Sequence, residues 1–332
     1  MPSTSTIKVA TLNLYNFVAP PNAFYEMENI YSRKQWQQKT QWLQRTLSEV
    51  DADIIGFQEV FSAIALEELV KSAGYPYFAI NEPCVVESDY IHFQPSVAIA
   101  SRFPMRLQSN PSFPSGHDYQ FSRRPLHVSV STSPLGELDC FVVHLKSQRP
   151  MLPEVSNSDD TLSKWLEEIE GSMQSTSLRQ SEVLYLHQYI VKSKQLTQRP
   201  FVLMGDFNNN LTAPEFAPLR STGRHRRPDS QETIAPYTFH DSWQLSLEQQ
   251  CLAIDSNHTQ PTEPITHFHG ERGNRLDHIL VSCEFCANHA YGLFNVVDYQ
   301  LVDKHIVDPT YGIDDQGSDH ALVCITIAER QQ

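Results

Sequence analysis

Phe201-Val202-Leu203-Met204-Gly205-Asp206-Phe207-Asn208-Asn209, preceded by Pro200, is an apolar run that ends in Gly, Asp and Asn. The pattern is that of a buried strand running out into a functional loop. Residues two apart point the same way while the chain stays extended, so this strand delivers the Asp206 carboxylate and the Asn208 amide side by side, aimed at one ligand. Gly, Asp and Asn are also ordinary turn formers, and Gly205-Asp206-Phe207 alone fits a turn equally well. The rest of the chain separates the two readings.

Several other strand-like runs end in polar residues suited to a metal and a phosphate. Ile7–Asn13 delivers Asn13, Asp53–Glu59 delivers Glu59, and Asp139–Lys146 delivers His144. Near the C-terminus, Arg275–Ser282 and Gly317–Val323 add Asp277, Asp319 and His320. In this order and spacing the set resembles the endonuclease/exonuclease/phosphatase superfamily, which includes pancreatic-type deoxyribonucleases, bacterial AP endonucleases, inositol polyphosphate 5-phosphatases and neutral sphingomyelinases. The resemblance spans Asn13 to His320 and rests on separated motifs in a fixed order. It implies a four-layer α/β sandwich, two mostly antiparallel sheets packed face to face and flanked by helices. Continuous apolar strands mixed with alternating ones point to the same layering.

The composition narrows the rest. A chain of 332 residues, 40% hydrophobic, is long enough for one large domain or two ordinary ones. Because motifs from both ends must meet in one site, the expectation is a single domain over 1–332. The 25 basic and 39 acidic residues give a net charge of −14, which argues against tight nucleic-acid binding by overall charge. It leaves room for a local basic rim, for which Arg220, Arg224, Arg226 and Arg227 are one candidate cluster. Cys283 and Cys286 form a lone Cys-x-x-Cys beside an apolar strand, without the second pair that a zinc site requires, while Cys140 and Cys324 read as core. No run approaches the roughly 20 apolar residues of a membrane span, and the start lacks the basic and apolar regions of a leader. The expectation is a soluble, cytoplasmic monomer with no stable membrane association.

Along the chain, Arg33 to Val50 reads as a helix with Trp36, Leu43, Leu47 and Val50 on one face, and Ser62 to Ala73 as a second, closed by Gly74. Leu126 to Thr132 alternates like a half-exposed antiparallel strand. The Ser-, Asp- and Glu-rich segment 147–177 reads as an insertion: a lid or a solvated decoration, containing a short amphipathic helix over Thr161 to Gly171. A separate helix follows from Leu178 to Lys194. Thr266 to Ser282 reads as a hairpin turning at Gly270 to Gly273.

The chemistry follows from residue type and from the resemblance together. Glu59 is the first candidate for magnesium, or manganese in its place, because such hard cations take oxygen ligands. Asn13 can add an amide oxygen, and Asp319 a further carboxylate. The resemblance implies that Asp206 aligns or deprotonates the attacking water and that Asn208 holds the phosphate or that carboxylate. It further implies that His320 contacts the phosphate while paired with Asp277. A carboxylate neighbour raises a histidine's proton affinity, as that contact requires. His144 is the general acid or a phosphate ligand; AP endonucleases carry a tyrosine in its place. Its acidic partner has no clear counterpart, Glu87 and Asp89 being the nearest candidates in sequence. Arg123, Arg124, Lys146 and Arg179 are candidates for the substrate phosphate; Arg123 and Arg124 fit surface salt bridges equally well, and the resemblance implies that Arg179 more often braces the site. His278 should face away from the site. The function expected is a metal-dependent phosphodiesterase acting on nucleic acid. The alternatives are a phosphatase or phospholipase acting on inositol phosphates or sphingomyelin, and a binding module that kept the fold without catalysis.

Overall fold

A computed structural model describes residues 6–87, 90–116, 119–133, 135–153, 160–253, 262–287, 289 and 292–330. Twelve strands make the two large sheets: β1 (Thr6–Phe17), β2 (Ile54–Val60), β3 (Tyr77–Ile80), β4 (Ser96–Ser101), β5 (Met105–Leu107), β6 (Leu126–Thr132), β7 (Gly136–His144), β8 (Phe201–Asp206), β9 (His240–Asp241), β10 (Asp277–Val281), β11 (Phe294–Val302) and β12 (Leu322–Glu329). The longer helices are α1 (Arg33–Val50), α2 (Ala63–Ser72), α3 (Thr161–Thr197) and α4 (Ser242–Ala253). One sheet runs β11-β12-β1-β2-β4-β3 and the other β9-β10-β8-β7-β6-β5.

Each sheet contains one parallel pair among antiparallel neighbours, β1 with β2 and β7 with β8. A parallel pair needs a crossover, and α1 and α3 supply them. Both pairs therefore end together at one edge, which puts Asn13 beside Gln58 in one sheet and His144 beside Asp206 in the other. Between the sheets lies an apolar layer that includes Val9, Ile99 and Ile325 from one and Val142, Met204 and Ile279 from the other. The outer face of the first sheet packs on α1 and α2 through Leu43, Leu47, Leu66 and Val70. Val183, Leu186 and Ile190 of α3 cover the second. These are the four layers expected.

Three local expectations are corrected. Residues 161–197 form one helix of 37 residues, where a short helix and a separate later one were expected. Gly171 does not end the first because it serves a crossing: a Cβ there would stand 2.4 Å from the Met151 carbonyl oxygen. Residues 154–159 of the expected insertion lie outside the described residues. β6 is buried on both faces except at Ser131: on the side that alternation left to solvent, His127 Nδ1 meets the Tyr189 hydroxyl of α3 at 3.0 Å, and the Ser129 hydroxyl donates to Asp139 of β7 at 2.6 Å. The hairpin is the short pair His267–His269 and Arg272–Asn274, with β10 as a separate strand after it.

The first half of α3 exposes Leu162, Trp165, Leu166, Ile169 and Met173. Cys283 and Cys286 are buried free thiols, pushed up to about 12 chiefly by burial, the protonated form that suits packing rather than metal binding.

Gly205 is required by contact as well as by conformation. Its φ is 143°, and a Cβ would stand 2.0 Å from the Val143 carbonyl oxygen of β7. Gly136 also has a positive φ, 70°, but open space around it. Gly205→Ala is expected to cost more than about 3 kcal/mol, against about 1 kcal/mol for Gly136→Ala. Urea denaturation of the two variants checks this, and equal costs would refute the contact.

Candidate active site

Asp206 sits at the end of β8, 1% exposed, and everything around it bears on its charge. Its Oδ1 accepts the Asn208 N–H at 2.7 Å, and its Oδ2 accepts the Asn13 amide N–H at 3.0 Å. His144 Nε2 approaches Oδ2 at 3.4 Å, and His320 Nε2 lies 3.9 Å from it. Burial pushes the Asp206 carboxyl up to about 7, against the pull of the His320 charge and the two N–H donors. A carboxyl poised there suits proton transfer near neutral pH. Asn208, at φ 57°, turns its side-chain amide to the Leu145 carbonyl at 3.0 Å, so it locks the loop and supports Asp206.

The two histidines are tuned in opposite directions. His320 donates Nδ1–H to Asp277 Oδ2 at 2.8 Å, with Asp277 fully buried. Burial alone would lower its pKa, but Asp277, then Asp206 and Asp319, outweigh this and hold it well above the usual imidazole range. Its backbone is fixed by the Ser318 hydroxyl, which accepts the His320 N–H and donates to the Asn13 carbonyl, and by the His305 ring against its own carbonyl. His144 goes the other way: burial, then Arg123 and His320, depress it well below the ordinary value, so it stays neutral. Asp206 is the carboxylate it faces. Its Nδ1 is buried with no hydrogen-bond partner among the described residues. Asp89 and the Glu87 side chain lie outside those residues.

On the other side of Asp206 stands Glu59, at φ 59° where β2 bulges out of register. Its carboxylate accepts the Asn16 N–H at 2.8 Å and the Asn13 amide N–H at 3.3 Å. The Asn13 amide, whose oxygen is the expected metal donor, lies between these groups. Its oxygen accepts the Tyr15 N–H at 3.0 Å while its nitrogen bridges the carboxylates of Glu59 and Asp206. The Asp319 carboxylate groups with His267 and His320, all ligand atoms within 4.8 Å of one another, and its charge reaches Lys39 together with that of Glu59.

The four basic candidates separate. Arg123 remains at the site, its Nη1 on the Leu145 carbonyl at 3.3 Å and its charge felt by His144. Lys146 is half-buried beside it, with Nζ on the carbonyls of Ser147 and Arg149. Arg124 is exposed and paired with Glu82. Arg179 is buried, its Nε and Nη2 at 3.1 and 3.0 Å from Glu215 Oε1 and its Nη1 on the Lys146 carbonyl at 2.8 Å. It braces the loop after His144 and has no free edge for a phosphate. His278 is buried on the far face as expected, its Nε2 on the Asn209 carbonyl.

Sequence reading missed two residues. His267 approaches Asp319 at 3.6 Å and lies in a hairpin recognised only for its turn. Lys39 is buried on α1, its ammonium 5.7 and 5.4 Å from the ring centres of Tyr15 and Tyr31. Burial lowers it to about 8 against the pull of Glu59 and Asp319. A lysine on the apolar face of α1, three residues after Trp36 and four before Leu43, was its available signal.

The fold and this constellation are those of a phosphoester hydrolase family. The model of the endonuclease/exonuclease/phosphatase family matches residues 10–320, and the chain belongs to that family. Its members hydrolyse phosphoester bonds and generally use divalent metals. The human Nocturnin catalytic domain with bound sulfate superposes with a TM-score of 0.58 at 15% identity, covering 98% of this chain and 95% of that one. A family member from Bacteroides thetaiotaomicron gives 0.54 at 17% identity, over 99% of both chains. Truncated Caenorhabditis elegans TDP2 gives 0.54 at 13%, over 98% of both. At these identities the likeness is one of fold. No curated protein matches in sequence.

A raised His320 carries a pH signature. The pair with Asp277 stabilises the fold fully below the unfolded value of about 6.5, and this contribution fades as pH rises through the higher folded value. The stability advantage of wild type over Asp277→Asn should therefore be largest below about pH 6.5 and shrink above it. Urea denaturation across that range checks the sign; an advantage that grows with pH would overturn the assignment.

Proposed function

We propose that the protein is a metal-dependent phosphodiesterase whose favoured substrate is nucleic acid. The observation that carries this reading is the buried Asp206 carboxyl held between a neutral His144 and a cationic His320 where two parallel strand pairs end. Hydrolysis of a phosphate diester needs a positioned water, charge on the phosphoryl oxygens and help for the leaving oxygen. Asp206 aligns the water and takes its proton. The His320 imidazolium, oriented by Asp277, binds a phosphoryl oxygen. His144 offers a neutral N–H to the same phosphate or to the leaving oxygen.

The donors present fit a hard cation: Glu59 is a partly exposed carboxylate, and Asp319 Oδ1 is buried without a hydrogen-bond partner among the described residues. Glu59 and Asp319 would hold magnesium, or manganese in its place, and the ion would supply charge neutralisation and an acidified water. Asn13 contributes by holding Glu59 against Asp206. Arg123, Lys146 and Arg149 give an acidic protein a local basic rim, and nucleic acid suits such a rim better than a compact polyphosphate does.

A second reading has one observation in its favour. The exposed Leu162, Trp165, Leu166, Ile169 and Met173 of α3, with Met151 and Leu152, form an apolar face of the kind a phospholipase presents to lipid. Supercoiled plasmid and sphingomyelin vesicles, each with magnesium, with manganese and with EDTA, separate the two readings from each other and from a non-catalytic module. Metal-dependent nicking is expected. Asp206→Asn and His320→Ala should each lower it by a factor of about 10² or more, with far-ultraviolet circular dichroism unchanged, and Glu59→Ala should raise the metal concentration required. Wild-type nicking by Asp206→Asn would rule out the mechanism.

A further inference from the structure

Hydrolysis as described gives His267 no task, yet its placement is specific. His267 Nε2 lies 3.6 Å from Asp319 Oδ2, and its ring centre is 4.7 Å from that of His320, tilted by 42°. His320 Nε2 stands 4.0 Å from Asp319 Oδ1, an oxygen that is buried and, among the described residues, without a hydrogen-bond partner. The backbone beneath is pinned by a bridge between His267 and His320 and by the Ala321 N–H on the Thr266 carbonyl at 2.7 Å.

His320 gives Nδ1–H to Asp277, which leaves Nε2 within 4.0 Å of Asp319 Oδ1, as it is within 3.9 Å of Asp206 Oδ2. That carboxylate–imidazole pairing is the one that fixes the tautomer and raises the basicity of metal-bound histidines. Two imidazole nitrogens and one carboxylate oxygen suit a borderline ion of the zinc class. Magnesium prefers oxygen donors and keeps its waters. We propose that His267, Asp319 and His320 form a second cation site, which shares Asp319 with the magnesium site but does not use Glu59, and which takes a zinc-class divalent ion.

A plain ion pair between His267 and Asp319 requires neither a second imidazole aimed at the same carboxylate nor an oxygen left unpartnered. The side chains of His267 and Asp319 are 20% and 41% exposed, so an ion can enter from solvent. Binding displaces the proton from His320 Nε2. It also takes that nitrogen from the phosphate, so the ion silences hydrolysis. This last consequence rests on the function proposed above; the binding itself does not.

The test is calorimetric titration of the untagged protein with zinc chloride, in excess magnesium and without substrate, on wild type, Glu59→Ala, His267→Ala and His267→Gln. Wild type and Glu59→Ala should bind zinc alike, and both His267 variants about 10–100-fold more weakly. Cobalt(II) in place of zinc should give visible absorption bands that the His267 variants lose. The glutamine keeps a polar side chain of similar reach, so the test survives a folding defect in the alanine variant. Absence of zinc binding, undiminished binding in the folded His267 variants, or binding lost with Glu59→Ala would each overturn the proposal.

Discussion

A fully buried carboxylate is the constraint on which this structure turns. An unpaired charge at Asp206 would be costly, and the fold answers with donors from four directions: Asn208 from its own loop, Asn13 from the other sheet, and two histidines from neighbouring strand ends. Each of these is held by something further out. Asp277 orients His320, the Ser318 hydroxyl ties His320 to the Asn13 backbone, and Glu59 shares the Asn13 amide. The site is thus a network whose members hold one another in place.

The network also explains the architecture. A strand–helix–strand crossover occurs once in each sheet, β1-α1-β2 and β7-α3-β8, and the two crossovers face each other across one apolar layer. Polar groups accumulate where parallel strands stop, because backbone beyond that edge is free to bend. Tyr15, Asn16, Tyr25, Glu59 and Asn208 all have positive φ around this edge. Such strain persists where surrounding contacts over-determine it.

Much of this was legible in the chain because it is local. Apolar runs ending in Asn13, Glu59, His144 and Asp206 declare buried strands with polar tips, and their order carries the family resemblance. What was not legible depends on residues distant in sequence. Whether Arg179 braces the site or meets the phosphate is decided only by Glu215, 36 residues on, which claims its guanidinium. Gly171 reads as a helix end until the Met151 backbone crosses it. The orientation of the Asn13 amide depends on Asp206, 193 residues away. His267 acquires meaning only when Asp319 arrives from a different part of the chain.

Helix α3 carries a mechanical consequence. At 1.5 Å per residue its 37 residues make a rod of about 55 Å. Its second half is bolted to the sheet by Leu178, Val183, Leu186 and Ile190, while its first half projects with an apolar face uncovered. Between the halves, Arg179 holds the Lys146 carbonyl and Glu182 accepts the Lys146 N–H at 2.7 Å, two residues from His144. One turn of this rod therefore fixes the backbone just beyond His144, so the register of α3 and the position of that histidine are set by the same two side chains.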